Sequence, residues 1–263
     1  MTELFTIFGN PVSHSKSPLM HNLSFQGLGF DGIYTRYRLE NGAALRDKFF
    51  ELNIKGANIT VPHKEYAFEA CDVLDAFAQK VGAVNTIVKK EGKLYGYNTD
   101  APGFLKAIEE FKGVKKVLFL GAGGTAQSTS VVLRDAGYEV TLLNRSAGRL
   151  ERFQEQGFKT FTFEDFEVEA YDLVVNMTSA GLEDDALPCP KEILEALIPT
   201  AKACVDVIYH ETPFLKLAKA HNRPTKDGSE MLLYQGVIAF EHFTEYQFTF
   251  DEIVPHMQKA FTL

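Results

Sequence analysis

Cysteine is scarce in this chain, and what there is does not pair. Cys71, Cys189 and Cys204 are odd in number and widely spaced, with no CxxC step. That excludes a disulfide framework and a cysteine-based zinc site, and leaves reduced packing residues rather than a catalytic thiol. The seven histidines show neither HExxH nor HxH spacing, so no metal site is expected. No apolar run is long enough to span a bilayer, and Met1-Thr2-Glu3-Leu4 does not open a signal peptide. A cytoplasmic protein without a membrane partner is therefore the expectation. No block of Lys and Arg offsets the formal net charge of −8, which argues against a nucleic-acid partner. Internal repeats and low-complexity linkers are absent as well.

What is present is ordinary globular material: 45% hydrophobic and 24% charged residues, in a length of 263 that suits two domains of similar size. Short apolar runs alternate with helical patterns. Phe5–Phe8, 33–39, 56–60, 86–90 and 93–97 read as strands, the last two joined as a hairpin over Glu91-Gly92. Residues 18–28 and 43–52 read as helices and 64–79 as helical segments, with Ser17 as N-cap and Pro18 in the first helical position. Strands alternating with helices predict an α/β fold with a mostly parallel sheet. Further strands follow at 173–176 and 203–208, and the chain closes with helices at 229–243 and 250–261. Closing helices tend to pack back on the first domain, which predicts a cleft between two domains where ligands bind.

The run Lys116 to Ala126 carries the most information. An apolar strand enters the turn Gly121-Ala122-Gly123-Gly124-Thr125, and a helical pattern follows over 127–136. Small residues let a backbone approach a pyrophosphate, and the helix N-terminus offers unpaired N–H groups to it. The next strand, 139–143, ends in Asn144-Arg145-Ser146, with Arg149 one turn on. NAD-binding units usually place an acid there for the ribose 2′-hydroxyl. An amide and two guanidinium groups instead welcome a 2′-phosphate, so the expected cofactor is NADP.

Polar residues also gather at predicted strand ends in the first third. Ser13 and Ser15 lie in the loop before the first helix, where two hydroxyls beside a positive helix end suit a carboxylate. An ordinary capped βα loop would look the same. Asn58 and Thr60 share a strand face, with Lys64 just beyond it, although a single lysine is most often a solvated surface residue. Asn85 and Asp100 bracket the hairpin at positions where Asn and Asp also serve plain turns. Together these groups line the strand-end crevice of one α/β sheet and suit a small polyhydroxylated acid.

With these runs in view, the chain resembles the shikimate dehydrogenase family. The matching stretches are 8–18, 56–64, 82–86, 98–100, 121–126, 144–146, 176–178, 206–209 and 231–235, in family order from end to end. The resemblance implies a substrate domain of residues 1–101 and 235–263, and a Rossmann-type NADP-binding domain of residues 102–234. It implies Lys64 and Asp100 as the catalytic pair, and Ser13 and Ser15 on the carboxylate of shikimate. Thr60, Asn85, Tyr209 and Gln235 match further substrate contacts. Gly121, Ala122, Gly123, Gly124 and Thr125 match the cofactor phosphate site, and Asn144, Arg145, Ser146 and Arg149 the 2′-phosphate site. Val207, Gly228 and Met231 match the nicotinamide end.

The reaction so implied is reversible, NADP-dependent interconversion of shikimate and 3-dehydroshikimate in aromatic amino-acid biosynthesis. A quinate/shikimate dehydrogenase with relaxed cofactor use is the near alternative, disfavoured by Asn144-Arg145. A catalytically silent NADP-binding module is the other, marked by loss of Lys64 or Asp100, and both are present. A homodimer is compatible with the sequence. Two steps depart from the family pattern: Gly228-Ser229-Glu230-Met231 has a glutamate where a glycine is usual, and His210-Glu211 replaces an Asn-Pro-type step.

Overall fold

A computed structural model describes residues 1–263. The chain forms two compact units, one of Met1–Gly103 with Leu233–Leu263, the other of Phe104–Leu232.

The first unit is built on β1 (Glu3–Gly9), α1 (Ser17–Leu28), β2 (Gly32–Arg38), α2 (Leu45–Glu51), β3 (Gly56–Ile59), α3 (Lys64–Ala70), β4 (Val73–Leu74), α4 (Ala76–Val81), β5 (Thr86–Lys90) and β6 (Lys93–Tyr97). Its six strands run in the order β2-β1-β3-β5-β6-β4. β1 pairs in parallel with β2 and β3, whereas β5 is antiparallel to both β3 and β6. β1 and β3 are central and covered on both faces, hence consecutive buried positions over 5–9 and 56–59 in place of alternation. The β5–β6 hairpin turns on Glu91 and Gly92, both at positive φ (50° and 75°), the two-residue connection whose twist matches the strands.

The helical segments expected over 64–79 are α3 and α4, with β4 between them. Asp72 and Asp75 make the break: the Asp72 carboxylate takes the Leu94 N–H, β4 pairs with β6, and Asp75 caps α4 through the N–H groups of Phe77 and Ala78. Short acids that satisfy backbone donors outside a helix compete with helix propagation.

The second unit begins within α5 (Asp100–Ile108), which starts in the first unit, and contains β7 (Lys116–Leu120), α6 (Gly124–Asp135), β8 (Glu139–Asn144), α7 (Glu151–Glu155), β9 (Lys159–Thr162), β10 (Leu173–Asn176), α8 (Lys191–Leu197), β11 (Ala203–Asp206), α9 (Pro213–Ala220) and β12 (Thr225–Lys226). All neighbours in its sheet are parallel, in the order β12-β11-β10-β7-β8-β9. That is the doubly wound order in which the direction of winding reverses between β7 and β10, the place where such sheets bind ligands. Leu118, Leu120, Val174 and Cys204 are fully buried in its core.

The chain returns to the first unit within α10 (Ser229–Phe243) and ends with α11 (Phe250–Gln258). α10 lies so close to α5 that a Cβ at Gly103 would come within 2.6 Å of the Gln235 nitrogen, so glycine is required at this crossing. No helix is long and apolar enough to cross a membrane.

Candidate active site

In the first unit, register brings the polar strand ends to one edge of the sheet. β1 and β3 run the same way, so the serine loop after β1 and Thr60 after β3 emerge together. Thr60 N–H donates to Phe8 O at 2.9 Å, and Asn10 N–H to Val61 O at 3.1 Å. Gly9 makes room for this, because a Cβ there would meet Thr60 Cγ2 at 2.3 Å. β5 runs back against β3, so its first residues lie at the same edge, with Ile59 N–H donating to Asn85 O at 2.7 Å. β6 turns again, pairing Tyr97 with Thr86, and delivers Asn98, Thr99 and Asp100 beside them.

The central pair is an ion pair: Lys64 Nζ lies 2.5 Å from Asp100 Oδ2, with side-chain exposures of 25% and 14%. Each residue opens a helix, Lys64 on α3 and Asp100 on α5. The segment before Lys64 is anchored by buried His63, whose Nε2–H donates to Leu39 O at 2.6 Å. Asn85 is almost fully buried; its Oδ1 accepts the Thr99 N–H at 2.7 Å and its amide donates to Thr99 Oγ1 at 3.0 Å.

In the serine loop, α1 begins one residue earlier than the sequence suggested. Lys16, not Ser17, occupies the N-cap, and Ser15 Oγ accepts the Ser17 N–H at 3.2 Å. A serine hydroxyl that accepts in this way still has its own O–H to give. Ser13 is exposed. Two arginines of β2 hold the loop: Arg36 donates to Ser15 O at 2.6 Å, and Arg38 to Asn10 Oδ1 at 3.0 Å. Asn58 does not belong with these groups. Its Oδ1 accepts the Tyr34 O–H at 2.7 Å and its amide donates to Thr86 Oγ1 at 3.1 Å, inside the unit. Gln235 is buried on α10.

In the second unit, Gly121 stands at φ 109°, and a Cβ on it would meet Thr178 Cγ2 at 2.6 Å. Glycine is needed there for both the turn and the close packing of the β7 and β10 ends. Gly123 is the N-cap of α6, and a Cβ on Gly123 or Gly124 would find no atom within 4 Å. The first turn of α6 carries no acid and no side-chain cap. Its free N–H groups thus face an open cavity of about 520 Å³, lined by Ala122, Gly123, Gly124, Gly148, Arg149, Glu151, Arg152 and Glu155. An anion fits this place by charge and by space, which is what a dinucleotide phosphate requires.

Arg149 lines that cavity; Arg145, exposed, does not. Asn144 donates to Ser146 O at 2.9 Å, shaping the turn after β8. Val207, Tyr209, Gly228 and Met231 all lie in the second unit, past β11 and at the start of α10. Burial raises the Tyr209 pKa. It also raises that of Asp206, against the pull of hydrogen bonds from Asn176, the Ile208 N–H and Thr212.

Residues 7–87 match the family model of the shikimate dehydrogenase substrate binding domain. Nearly the whole chain is similar to the shikimate dehydrogenase (NADP(+)) of Helicobacter hepaticus, with 42% identity over 251 residues that cover 94% of this chain and 93% of that one. The chain belongs to the shikimate dehydrogenase family. The corresponding protein of a Helicobacter pylori strain is 41% identical over 262 residues, 98% of each chain. Among solved structures, the shikimate 5-dehydrogenase of Thermus thermophilus, in complex with NADP(H) and shikimate, aligns with a TM-score of 0.86. It is 36% identical and the alignment covers 98% of this chain and all of that one.

Within this family member, three groups that were not visible along the chain share one trait: their partners are remote. Arg36, Arg38 and His63 each hold a loop more than twenty positions away. Arg152 lies one helical turn beyond Arg149 and lines the same cavity. The unusual His210-Glu211 step is tied down, His210 Nε2–H donating to Leu182 O at 3.3 Å and Glu211 pairing with Lys219 at 2.6 Å.

Proposed function

We propose that the protein catalyses the reversible, NADP-dependent oxidation of the C3 hydroxyl of shikimate to 3-dehydroshikimate, in the cytoplasm, as a step of aromatic amino-acid biosynthesis. The observation that carries this reading is the half-buried Lys64–Asp100 pair at the polar edge of a sheet, in a chain of this family. NADP, when bound, supplies the hydride chemistry. The protein has to orient both reactants and move one proton.

The first unit is the substrate-binding domain. The O–H groups of Ser13 and Ser15 take the carboxylate, in a loop that Arg36 and Arg38 keep in place. Thr60, Asn85 and Gln235 contact the ring hydroxyls, and Tyr209 keeps the substrate-contacting role that the resemblance gives it. Lys64, as an ammonium, gives its proton to the C3 oxygen when the ketone is reduced and takes it back in the other direction. Asp100 holds that ammonium in one orientation, and a general acid–base group so placed supplies ~100- to ~10,000-fold.

The second unit is the NADP-binding domain. Gly121 to Thr125 and the start of α6 receive the pyrophosphate. Arg149, with Arg145, Asn144 and Ser146, takes the 2′-phosphate that NAD lacks. Val207, Gly228 and Met231 form the nicotinamide end.

The test is the appearance of NADPH on mixing the protein with shikimate and NADP+, beside parallel reactions with quinate and with NAD+. Turnover that prefers shikimate with NADP+ is the expected result. Quinate turnover with NAD+ at an equal or greater rate would sink the reading.

A further inference from the structure

Lys226 closes β12, the edge strand paired with β11. An ammonium has three N–H donors. Here all three have acceptors: Ala107 O at 2.9 Å, Glu110 Oε1 at 2.6 Å and Glu230 Oε2 at 2.5 Å. The Lys226 side chain is only 11% exposed, against 58% for Glu110 and 42% for Glu230, so the cation sits under its two acids. Lysines are seldom so covered unless paired.

The three acceptors come from two helix ends. Ala107 is in the last turn of α5, and Glu110 lies just beyond it. The last carbonyls of a helix have no intrahelical partner, and a lysine is a natural donor to them. Glu230 is in the first turn of α10, where an acid meets the positive end of the helix. One side chain therefore ties the end of α5 to the start of α10.

The start of α10 carries the residues matched to the nicotinamide end. Gly228 N–H donates to Ile208 O at 2.9 Å, and a Cβ at Gly228 would come within 2.1 Å of Val207 O. Leu232 N–H donates back to Gly228 O at 2.9 Å, and Asp227 Oδ1 accepts the Ser229 N–H at 3.0 Å. Lys226 and Glu230 bracket this turn from both sides. Glu230 stands where the family pattern has glycine, so this clamp belongs to this chain rather than to the family pattern.

We propose that Lys226 is a positioning residue: by holding Ala107, Glu110 and Glu230 together it fixes the turn 227–230, and through it sets Met231 where the nicotinamide end of the cofactor docks. The inference deepens the NADP-dependent reading and rests on it.

The test compares wild type with Lys226→Met, Lys226→Arg and Glu230→Gln, by calorimetric NADP+ binding, by separate KM values for NADP+ and shikimate, and by hydrogen exchange at 228–232. Lys226→Met should weaken NADP+ about tenfold, the equivalent of one charged hydrogen bond. The KM for shikimate should stay within about twofold, and amides 229–232 should exchange faster. Lys226→Arg should restore most of the loss, and Glu230→Gln should show a part of it. A Lys226→Met protein that is less heat-stable yet has unchanged NADP+ affinity and KM overturns the inference alone, because the clamp would then be merely structural. Wild type that binds no NADP+ overturns the functional reading and the inference with it.

Discussion

In the first unit the candidate groups already hold one another, whereas in the second they stand open. Lys64 is paired with Asp100, Asn85 with Thr99, and Ser15 with the Ser17 amide. Gly123 and Gly124 instead face empty space, and neither Arg145 nor Arg149 is paired with a carboxylate. The difference agrees with what the proposed function asks each unit to bind. A polyol with a single carboxylate offers mostly weak, directional hydroxyl contacts, so the groups that meet it gain from being oriented beforehand. A phosphate brings charge enough to order exposed guanidinium groups when it arrives. The same contrast holds among buried polar groups, in the opposite sense. Asp206, at the end of β11, is fully buried and has three donors from Asn176, Ile208 and Thr212. His21 in the first unit is fully buried and stacked on Tyr34 at 4.4 Å, and neither ring nitrogen has a hydrogen-bond partner.

The strongest way to break the pre-oriented side of this comparison is Lys64→Ala. We expect kcat to fall ~100- to ~10,000-fold, with little change in the KM for shikimate. Near-normal turnover would remove Lys64 from the proton path. The open side is sharpened by Arg149→Ala, which should raise the KM for NADP+ roughly 10- to 100-fold and leave that for NAD+ almost unchanged. Arg145→Ala should do less, since of these two arginines it is Arg149 that lines the cavity with the glycine turn. Equal losses with both cofactors would mean that the 2′-phosphate is bound elsewhere.

On stability rather than turnover, the expected effect concerns His21. Burial holds its pKa down at about 3. The unfolded chain takes a proton near pH 6.5 while the folded chain does not. Stability is therefore complete above pH 6.5 and declines as the pH falls from there toward 3. At pH 5 the loss from this one ring amounts to about 2 kcal/mol. Urea unfolding of wild type and His21→Leu at pH 7.5 and pH 5 measures it. If both proteins lose the same stability between those two values, His21 is not the source.

Much of the architecture was legible because the long elements carry a period. The parallel runs, the hairpin over Glu91-Gly92 and α10 over 229–243 were readable from apolar spacing and turn chemistry. β4 and β12 were not, because two residues hold no period, and β9 was not, because Lys159-Thr160-Phe161-Thr162 carries a single apolar residue. Within the site, the strand-end positions of Thr60, Asn85 and Asp100 could be read along the chain. The inward turn of Asn58 could not, since its partners Tyr34 and Thr86 are 24 and 28 positions away.

The sequence by itself determined the kinds of groups available: a glycine turn before a helix, arginines where a cofactor-binding acid is common, and hydroxyls, a lysine and an aspartate at strand ends. Local chemistry and short-range period decide these, and both are written in consecutive residues. Only the tertiary structure decided which groups meet. Reversal of β5 against β3 brought Asn85 beside Thr60, and the next reversal brought Asp100 to Lys64. Pairing of β12 with β11 placed Lys226 between the ends of α5 and α10. Such meetings depend on register between distant segments, and no local stretch of the chain encodes register alone.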